Sequence, residues 1–217
     1  DYDVVAGDGP LPRARSCRRR GWRTNDRGLL RGRSVLIVRR FDRQGRTRLP
    51  YLSAMSMLGA RDNEGRSYME IVDALRQQGA APLEDIRALW RRIVFSILIS
   101  NTDDHLRNHG FLYENATGWR LSPVFDVNPV PTDIKPRILT TAINEDDTTA
   151  SLQVALDIAA YFEISAADAR LIAQEVGKAV TQWRARASAH GLSRAAIDRM
   201  ASAFDHADLQ QALQLRI

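Results

Sequence analysis

The chain changes character abruptly at Ser100, and that change limits its folds more than any other feature. Apolar residues fall at Leu83, Ile86, Leu89, Trp90, Ile93, Val94, Ile97 and Leu98, a spacing that gathers them on one broad helical face. Glu84 and Asp85 open this stretch, where carboxylates suit the positive end of a helix dipole. A helix apolar over so much of its circumference is expected to lie buried at the centre of a lobe. It runs straight into a polar segment, Asn101-Thr102-Asp103-Asp104-His105-Leu106-Arg107-Asn108. Whatever chemistry that loop carries therefore sits on a rigid support, as a preorganised constellation requires.

Two short runs follow, Gly110 to Tyr113 and Trp119 to Leu121, separated by Glu114-Asn115-Ala116-Thr117-Gly118. This pattern predicts a β-hairpin with packing aromatics. After it, Leu121-Ser122-Pro123-Val124-Phe125 ends on Asp126. An acid, four residues, an asparagine, then a hairpin leading to a second acid is the order of parts in a protein-kinase catalytic lobe. Phosphoryl transfer needs positioning and charge neutralisation more than covalent chemistry. Mg²⁺ takes hard oxygen ligands and keeps several waters, so one carboxylate and one amide oxygen suffice beside substrate phosphates. Asp126 and Asn108 form such a pair, and Asp103 is free to face an incoming hydroxyl. The same residue types also make ordinary caps and turns, because Asp and Asn hydrogen-bond their own backbone.

On the segments Asn101 to Asn108 and Leu121 to Asp126 the chain resembles the HipA-like serine/threonine kinases, toxins of type II toxin–antitoxin modules. Val38-Arg39-Arg40-Phe41-Asp42-Arg43 is similar to the family's hinge beside the adenine, although the family often has Glu where Arg39 stands. The resemblance runs from about residue 32 to the C-terminus. It implies an α+β, mostly α-helical fold: a protein-kinase-like C-lobe with a short hinge strand left from the N-lobe. It implies transfer of the ATP γ-phosphoryl to a protein hydroxyl, with ATP and Mg²⁺ as cofactors. In that scheme Asp103 is the catalytic base, and Asn108 and Asp126 are the Mg²⁺ ligands. His105, Arg107 and Asn108 line the nucleotide phosphates, and the backbone at Phe41 meets the adenine. The implied partners are a protein substrate, a cognate antitoxin and, through the antitoxin, operator DNA.

Composition sets the outer bounds. The 217 residues, 44% hydrophobic and 26% charged, are ordinary for a soluble globular protein with a proper core. No apolar run approaches the ~20 residues of a membrane span, and no secretory leader pattern opens the chain. The single Cys17 excludes an internal disulfide and fits a reducing cytoplasm. The net charge of +5 invites a nucleic-acid reading, but much of it is an arginine cluster from Arg13 to Arg33. Residues 1–31 read as an irregular Arg-, Gly- and Pro-rich segment. A truncated or altered sequence explains the shift in composition better than a basic arm for nucleic acid or a phosphate-contacting tail. Residues 32–217 read as the catalytic-lobe domain.

Elsewhere, Ser34 to Val38 predicts a buried strand, with Arg48 to Tyr51 as a partner strand and Gln44-Gly45-Arg46 as a turn. Ser53 is a candidate cap for a helical turn. Ser67-Tyr68-Met69-Glu70 has the form of a capping box opening a helix that ends near Gly79, with Tyr68 in the core. His105 and His109 have no HExxH context and no cysteine partners, which argues against zinc. Asp104 reads as a structural or solvated carboxylate. Pro123, Pro129, Pro131 and Pro136 enforce an irregular path, along which Lys135 and Arg137 either meet an acidic or phosphorylated partner or sit on an ordinary exposed loop. From Ser151 the pattern predicts three helices, the first marked by Leu152, Val154, Ala155, Ile158 and Ala159, the second opened by Ser165 and the third by Ser193. The only lysines are Lys135 and Lys178, so the strand lysine of a complete kinase is absent, and no Gly-rich loop precedes the hinge. That predicts weak or no kinase activity for this chain alone. A non-catalytic remnant that binds antitoxin or DNA is the alternative.

Overall fold

The computed structural model describes residues 27–30, 33–36, 40–114 and 117–216. Cys17, the arginines before Arg27, Arg31, the Ile37–Val38 end of the expected strand and the Val38–Arg39 part of the hinge-like segment fall outside the described residues. In chain order, strands β1 (Arg27–Leu30) and β2 (Arg33–Leu36) pair antiparallel, Arg27 against Leu36 and Leu30 against Arg33. β1 corrects the expectation of irregular chain through residue 31. Leu29-Leu30 is a short apolar run that can pair with its neighbour, but flanking arginines hide that signal.

β3 (Arg43–Gln44) and β4 (Thr47–Arg48) pair across the expected turn at Gly45. A longer strand at Arg48 to Tyr51 was expected to lie beside the Ser34 strand. Instead β5 (Tyr51–Ser53) joins a three-stranded sheet with β6 (Gly110–Tyr113) and β7 (Trp119–Leu121), in the order β5-β6-β7. The β6–β7 hairpin is the predicted one, with Tyr113 opposite Trp119. Gly118 within its loop has φ +120°. A Cβ there would meet the Gln78 carbonyl oxygen at 2.5 Å, so only glycine lets the hairpin dock on the end of the helix Tyr68–Gln78.

Helix α1 (Ala54–Met57) is capped by Ser53, whose hydroxyl accepts from the Ser56 amide. Helix α2 (Tyr68–Gln78) opens with the capping box, Ser67 and Glu70 each satisfying the other's backbone N–H, and ends before Gly79 as expected. Helix α3 (Pro82–Leu98) buries Ile86, Leu89, Trp90, Ile93, Val94, Ile97 and Leu98. Each fully buried side chain of this size contributes roughly 1.5–3 kcal/mol of transfer free energy. α3 ends because Ser100 takes a left-handed conformation, φ +53°.

The 30 or so residues after β7 form no helix or strand, consistent with their prolines. Then follow α4 (Leu152–Asp157), α5 (Ala166–Val180), α6 (Trp183–Ala189), α7 (Arg194–Arg199), α8 (Ala201–Phe204) and α9 (Ala207–Gln214). Ser151, Ser165 and Ser193 are N-caps, each hydroxyl accepting from the amide three residues on. The C-terminal part is more broken than three helices. Trp183 leaves the α5 line and stacks on Phe204 at 4.3 Å between ring centroids.

The core is continuous. α3 touches α2, α4, α5, α9 and β7, and its Trp90 indole donates to the Ala155 carbonyl at 3.3 Å. The fold is thus α+β and mostly helical, organised around α3 as its sequence requires. Among the described residues no helix is long and apolar enough to cross a membrane.

Candidate active site

The loop that leaves α3 is held from three sides. At its start, the Asn101 side chain is buried; its Nδ2 donates to Ser96 Oγ at 3.2 Å and its Oδ1 accepts from the Asn128 amide at 3.1 Å. The Val130 amide donates to the Ser100 carbonyl at 3.1 Å. The chain following Asp126 is thereby laid against the beginning of the loop.

In the middle, Asp103 and Asp104 diverge. The Asp104 side chain is 7% exposed and that of Asp103 58%. Asp104 accepts from the Tyr68 hydroxyl at 2.7 Å and Ser96 Oγ at 3.1 Å, and its other oxygen lies 3.0 Å from His109 Nε2. Burial works against its ionisation, but His109 and the two hydroxyls outweigh it and hold the carboxyl below its usual range. Burial, reinforced by Asp104, pushes the Tyr68 phenol well above its usual value. Tyr68 is therefore a core residue, as its spacing implies, and also a hydrogen-bond donor to the loop. Asp104 is the structural carboxylate, and Asp103 is the one that faces solvent.

From the third side, two threonines of the irregular segment reach over. Thr140 donates through both its amide and its hydroxyl to the Thr102 carbonyl, at 3.1 and 3.0 Å. Thr141 Oγ1 donates to the Asp104 carbonyl at 2.7 Å. The carbonyls on either side of Asp103 are thus pinned, while its carboxylate stays out. Among the described residues only a cation meets it there: Lys135 Nζ is 3.8 Å from Asp103 Oδ1.

The other expected residues are placed as follows. Leu106 to Asn108 form one 3₁₀ turn, in which Asn108 is buried and its Nδ2 donates to the Asp103 carbonyl at 3.1 Å. That bond commits the amide nitrogen and leaves Oδ1 as the group available to a ligand. Asp126 is exposed with φ +54°, a conformation costly for a residue with a Cβ; one of its oxygens accepts from Asn128 Nδ2 at 2.9 Å. Phe41 packs its ring 5.6 Å from Phe125 and 6.1 Å from Tyr51, so the hinge segment lies beside the residue that precedes Asp126. His105 accepts the Asn108 amide through its carbonyl, and its buried Nδ1 has no hydrogen-bond partner. Arg107 pairs with Asp62 across exposed surface, a contact of little energy.

Two readings need correcting. Arg137 does not reach outward to an acidic or phosphorylated partner. Its guanidinium turns inward to Asp208 and to the Ile97 carbonyl, closing the exposed end of α3. Asp85 is more than a helix-dipole partner. It is buried and accepts from Arg120 Nε at 2.9 Å and from the Leu121 amide at 3.0 Å, fastening β7 to α3. Burial raises its pKa, with Arg120 opposing. Sequence patterns gave no warning of the Thr140–Thr141 contacts, because a threonine pair in an irregular stretch has no periodicity to read.

The donor set fits Mg²⁺. An amide oxygen and an exposed carboxylate are hard ligands, and the ion draws the rest from phosphate and water. Among the described residues no group of three or more His, Cys, Asp or Glu side chains converges as an all-protein metal site.

Comparison with known proteins gives three findings. The model of the HipA-like C-terminal domain matches residues 14–184. A Haemophilus influenzae protein described as a "Putative kinase" is 34% identical over 77 residues, which cover 34% of this chain and 22% of that protein. A chain in the solved complex of the Shewanella oneidensis MR-1 toxin–antitoxin system, HipA, HipB and its operator DNA, superposes with a TM-score of 0.64 at 18% identity. The match covers 88% of this chain and 50% of that one. This chain therefore spans about half of the Shewanella chain, and matches less than a quarter of the Haemophilus protein.

Proposed function

We propose that this chain, which belongs to the HipA-like C-terminal domain family, is the catalytic lobe of an ATP-dependent serine/threonine protein kinase. The observation that carries the reading is the separation of the two adjacent carboxylates. Asp104 is buried and accepts from the Tyr68 and Ser96 hydroxyls beside His109, which fixes the loop and leaves Asp103 exposed on a pinned backbone. A general base needs such a fixed position within reach of the hydroxyl it deprotonates.

In this reading Asp103 orients the acceptor hydroxyl of a protein substrate and takes its proton. Asn108 Oδ1 and Asp126 hold Mg²⁺. The bound ion neutralises charge on the nucleotide phosphates and keeps the γ-phosphoryl in line for transfer. The orphaned ring nitrogen of His105 and the weakly held Arg107 face the phosphates. The backbone at Phe41 borders the adenine, packed against Phe125. The positive φ of Asp126 fits a carboxylate aimed by its backbone rather than by packing. A cytoplasmic location suits these substrates. The Shewanella complex of HipA, HipB and operator DNA supports an antitoxin and operator DNA as partners.

Titration calorimetry of ATP with and without Mg²⁺ tests the proposal. We expect Mg²⁺-dependent binding in this chain and its loss in Asp126→Ala, whose exposed side chain has no part in the core. Absence of binding in both would remove the kinase reading and leave a lobe that serves only to bind antitoxin or DNA.

A further inference from the structure

We infer that Lys135 is the cation that meets the transferred γ-phosphoryl group, a role that rests on the phosphotransferase reading. Its ammonium stands 3.8 Å from the Asp103 carboxylate, and its side chain is 55% exposed. A base that receives the acceptor proton lies beside the phosphoryl being transferred, so a cation within 4 Å of that base is within reach of the same phosphoryl oxygens. The three phosphoryl oxygens carry the charge of the transition state, and a compact ammonium stabilises them as a point charge.

Elimination among the neighbouring cations singles out this residue. Arg137 is bound to Asp208 and the Ile97 carbonyl. Arg199 holds Asp133 through both carboxylate oxygens at 2.8 Å. Arg92 donates to the Ser122 carbonyl behind the hairpin. Arg107 pairs with Asp62 and, among the described residues, makes no ion pair with Asp103, so it can serve the phosphates without standing beside the base. Lys178, the chain's other lysine, donates to Gln174 on α5. Among the described residues Lys135 has Asp103 as its partner and no second acid.

Its backbone is also anchored. The Lys135 amide donates to the Pro131 carbonyl at 3.2 Å, and five residues on, Thr140 begins the pair of threonine contacts that fix this segment to the loop carrying Asp103. The four-carbon stem leaves the ammonium free to move from the carboxylate to a phosphate without backbone movement. In the free protein the ion pair holds Lys135 at the site. With nucleotide bound, the same charge turns to the terminal phosphate and leaves Asp103 open to the acceptor hydroxyl.

The role predicts a preference for ATP over ADP that depends on this residue. Calorimetry with Mg²⁺ would compare both nucleotides on the parent chain, on Lys135→Met and on Lys135→Arg. We expect Lys135→Met to weaken ATP binding about tenfold, the size of one charge-assisted contact, and to leave ADP binding unchanged. Lys135→Arg should recover part of the loss, and thermal melting should be the same for all three because the side chain is exposed. An unchanged ATP-to-ADP ratio in Lys135→Met overturns the assignment. So does tighter ATP binding, which would make the Asp103 pair a block on the site. A parent chain that binds neither nucleotide refutes the phosphotransferase reading and Lys135 with it. That result is distinct from a parent that binds ATP and a variant that matches it.

Discussion

Asp103 and Asp104 are neighbours in sequence with opposite surroundings, and they predict opposite failures on substitution. Replacing Asp104 with Ala strands the Tyr68 and Ser96 hydroxyls and the His109 ring in a buried site. Unpaired buried donors of this kind cost on the order of 3 kcal/mol together, so its urea midpoint should fall clearly. Asp103→Ala removes an exposed carboxylate that meets, among the described residues, an exposed lysine, and its midpoint should match the parent within about 0.5 kcal/mol. Should Asp103→Ala unfold as readily as Asp104→Ala, the division of labour between them is wrong. The spacing to Asn108 selects Asp103 from sequence alone, but only burial shows why its neighbour is unsuited. No pattern of residues announces that one of two adjacent acids will be enclosed by Tyr68, Ser96 and His109, which come from two helices and the end of the loop.

Among the elements, α3 and the β6–β7 hairpin decide where the loop is held, and the hairpin docks through a single glycine. Gly118→Ala places a Cβ against the Gln78 carbonyl and forces alanine to φ +120°. Backbone strain alone should destabilise the protein by roughly 1–3 kcal/mol, read as a lower melting temperature. A variant as stable as the parent would mean that α2 and the hairpin do not meet as described. α3, the capping box at Ser67, the caps at Ser53, Ser165 and Ser193, and the hairpin itself were all legible in the sequence. Each is a local signal, set by helical spacing or by a side chain bonding its own backbone. The partner of β5 was not legible. Tyr51 to Ser53 pairs with a strand nearly sixty residues away, and strand pairing at that distance leaves no mark in either short run. The inward turn of Arg137 was hidden for the same reason, since Asp208 lies far along the chain.

At the level of the whole molecule, the C-terminal helices are tied to the end of α3 through His206, whose Nε2 lies 3.2 Å from the Leu98 carbonyl. Burial lowers the His206 pKa, with Arg137 adding to the effect and Asp208 opposing it. A histidine with a folded pKa below its unfolded value near 6.5 favours the native state fully above that value. It loses that contribution as pH falls towards the folded pKa, because the unfolded chain takes the proton first. Asp104, with its lowered pKa, acts in the same direction at lower pH. Its contribution is present above the unfolded carboxyl value near 4 and is lost as pH falls through the folded one. Denaturant midpoints should therefore decline in two stages, one beginning near pH 6.5 and one below about pH 4. His206→Gln should flatten the first stage alone. If the first stage persists in that variant, the His206 assignment fails.

The position of β5 also bears on the order of folding. The β6–β7 hairpin and the helices on either side of the loop are built from neighbours in sequence, and such contacts form early. β5 can add its hydrogen bonds to β6, and the Ala54 amide can reach the His109 carbonyl at 2.7 Å, only after α2 and α3 have brought distant stretches together. That closure lies directly beneath the turn carrying His105 and Asn108. The candidate site is therefore among the last parts of the molecule to assemble, so a partly folded chain would hold its core before Asn108 and its neighbours were in place.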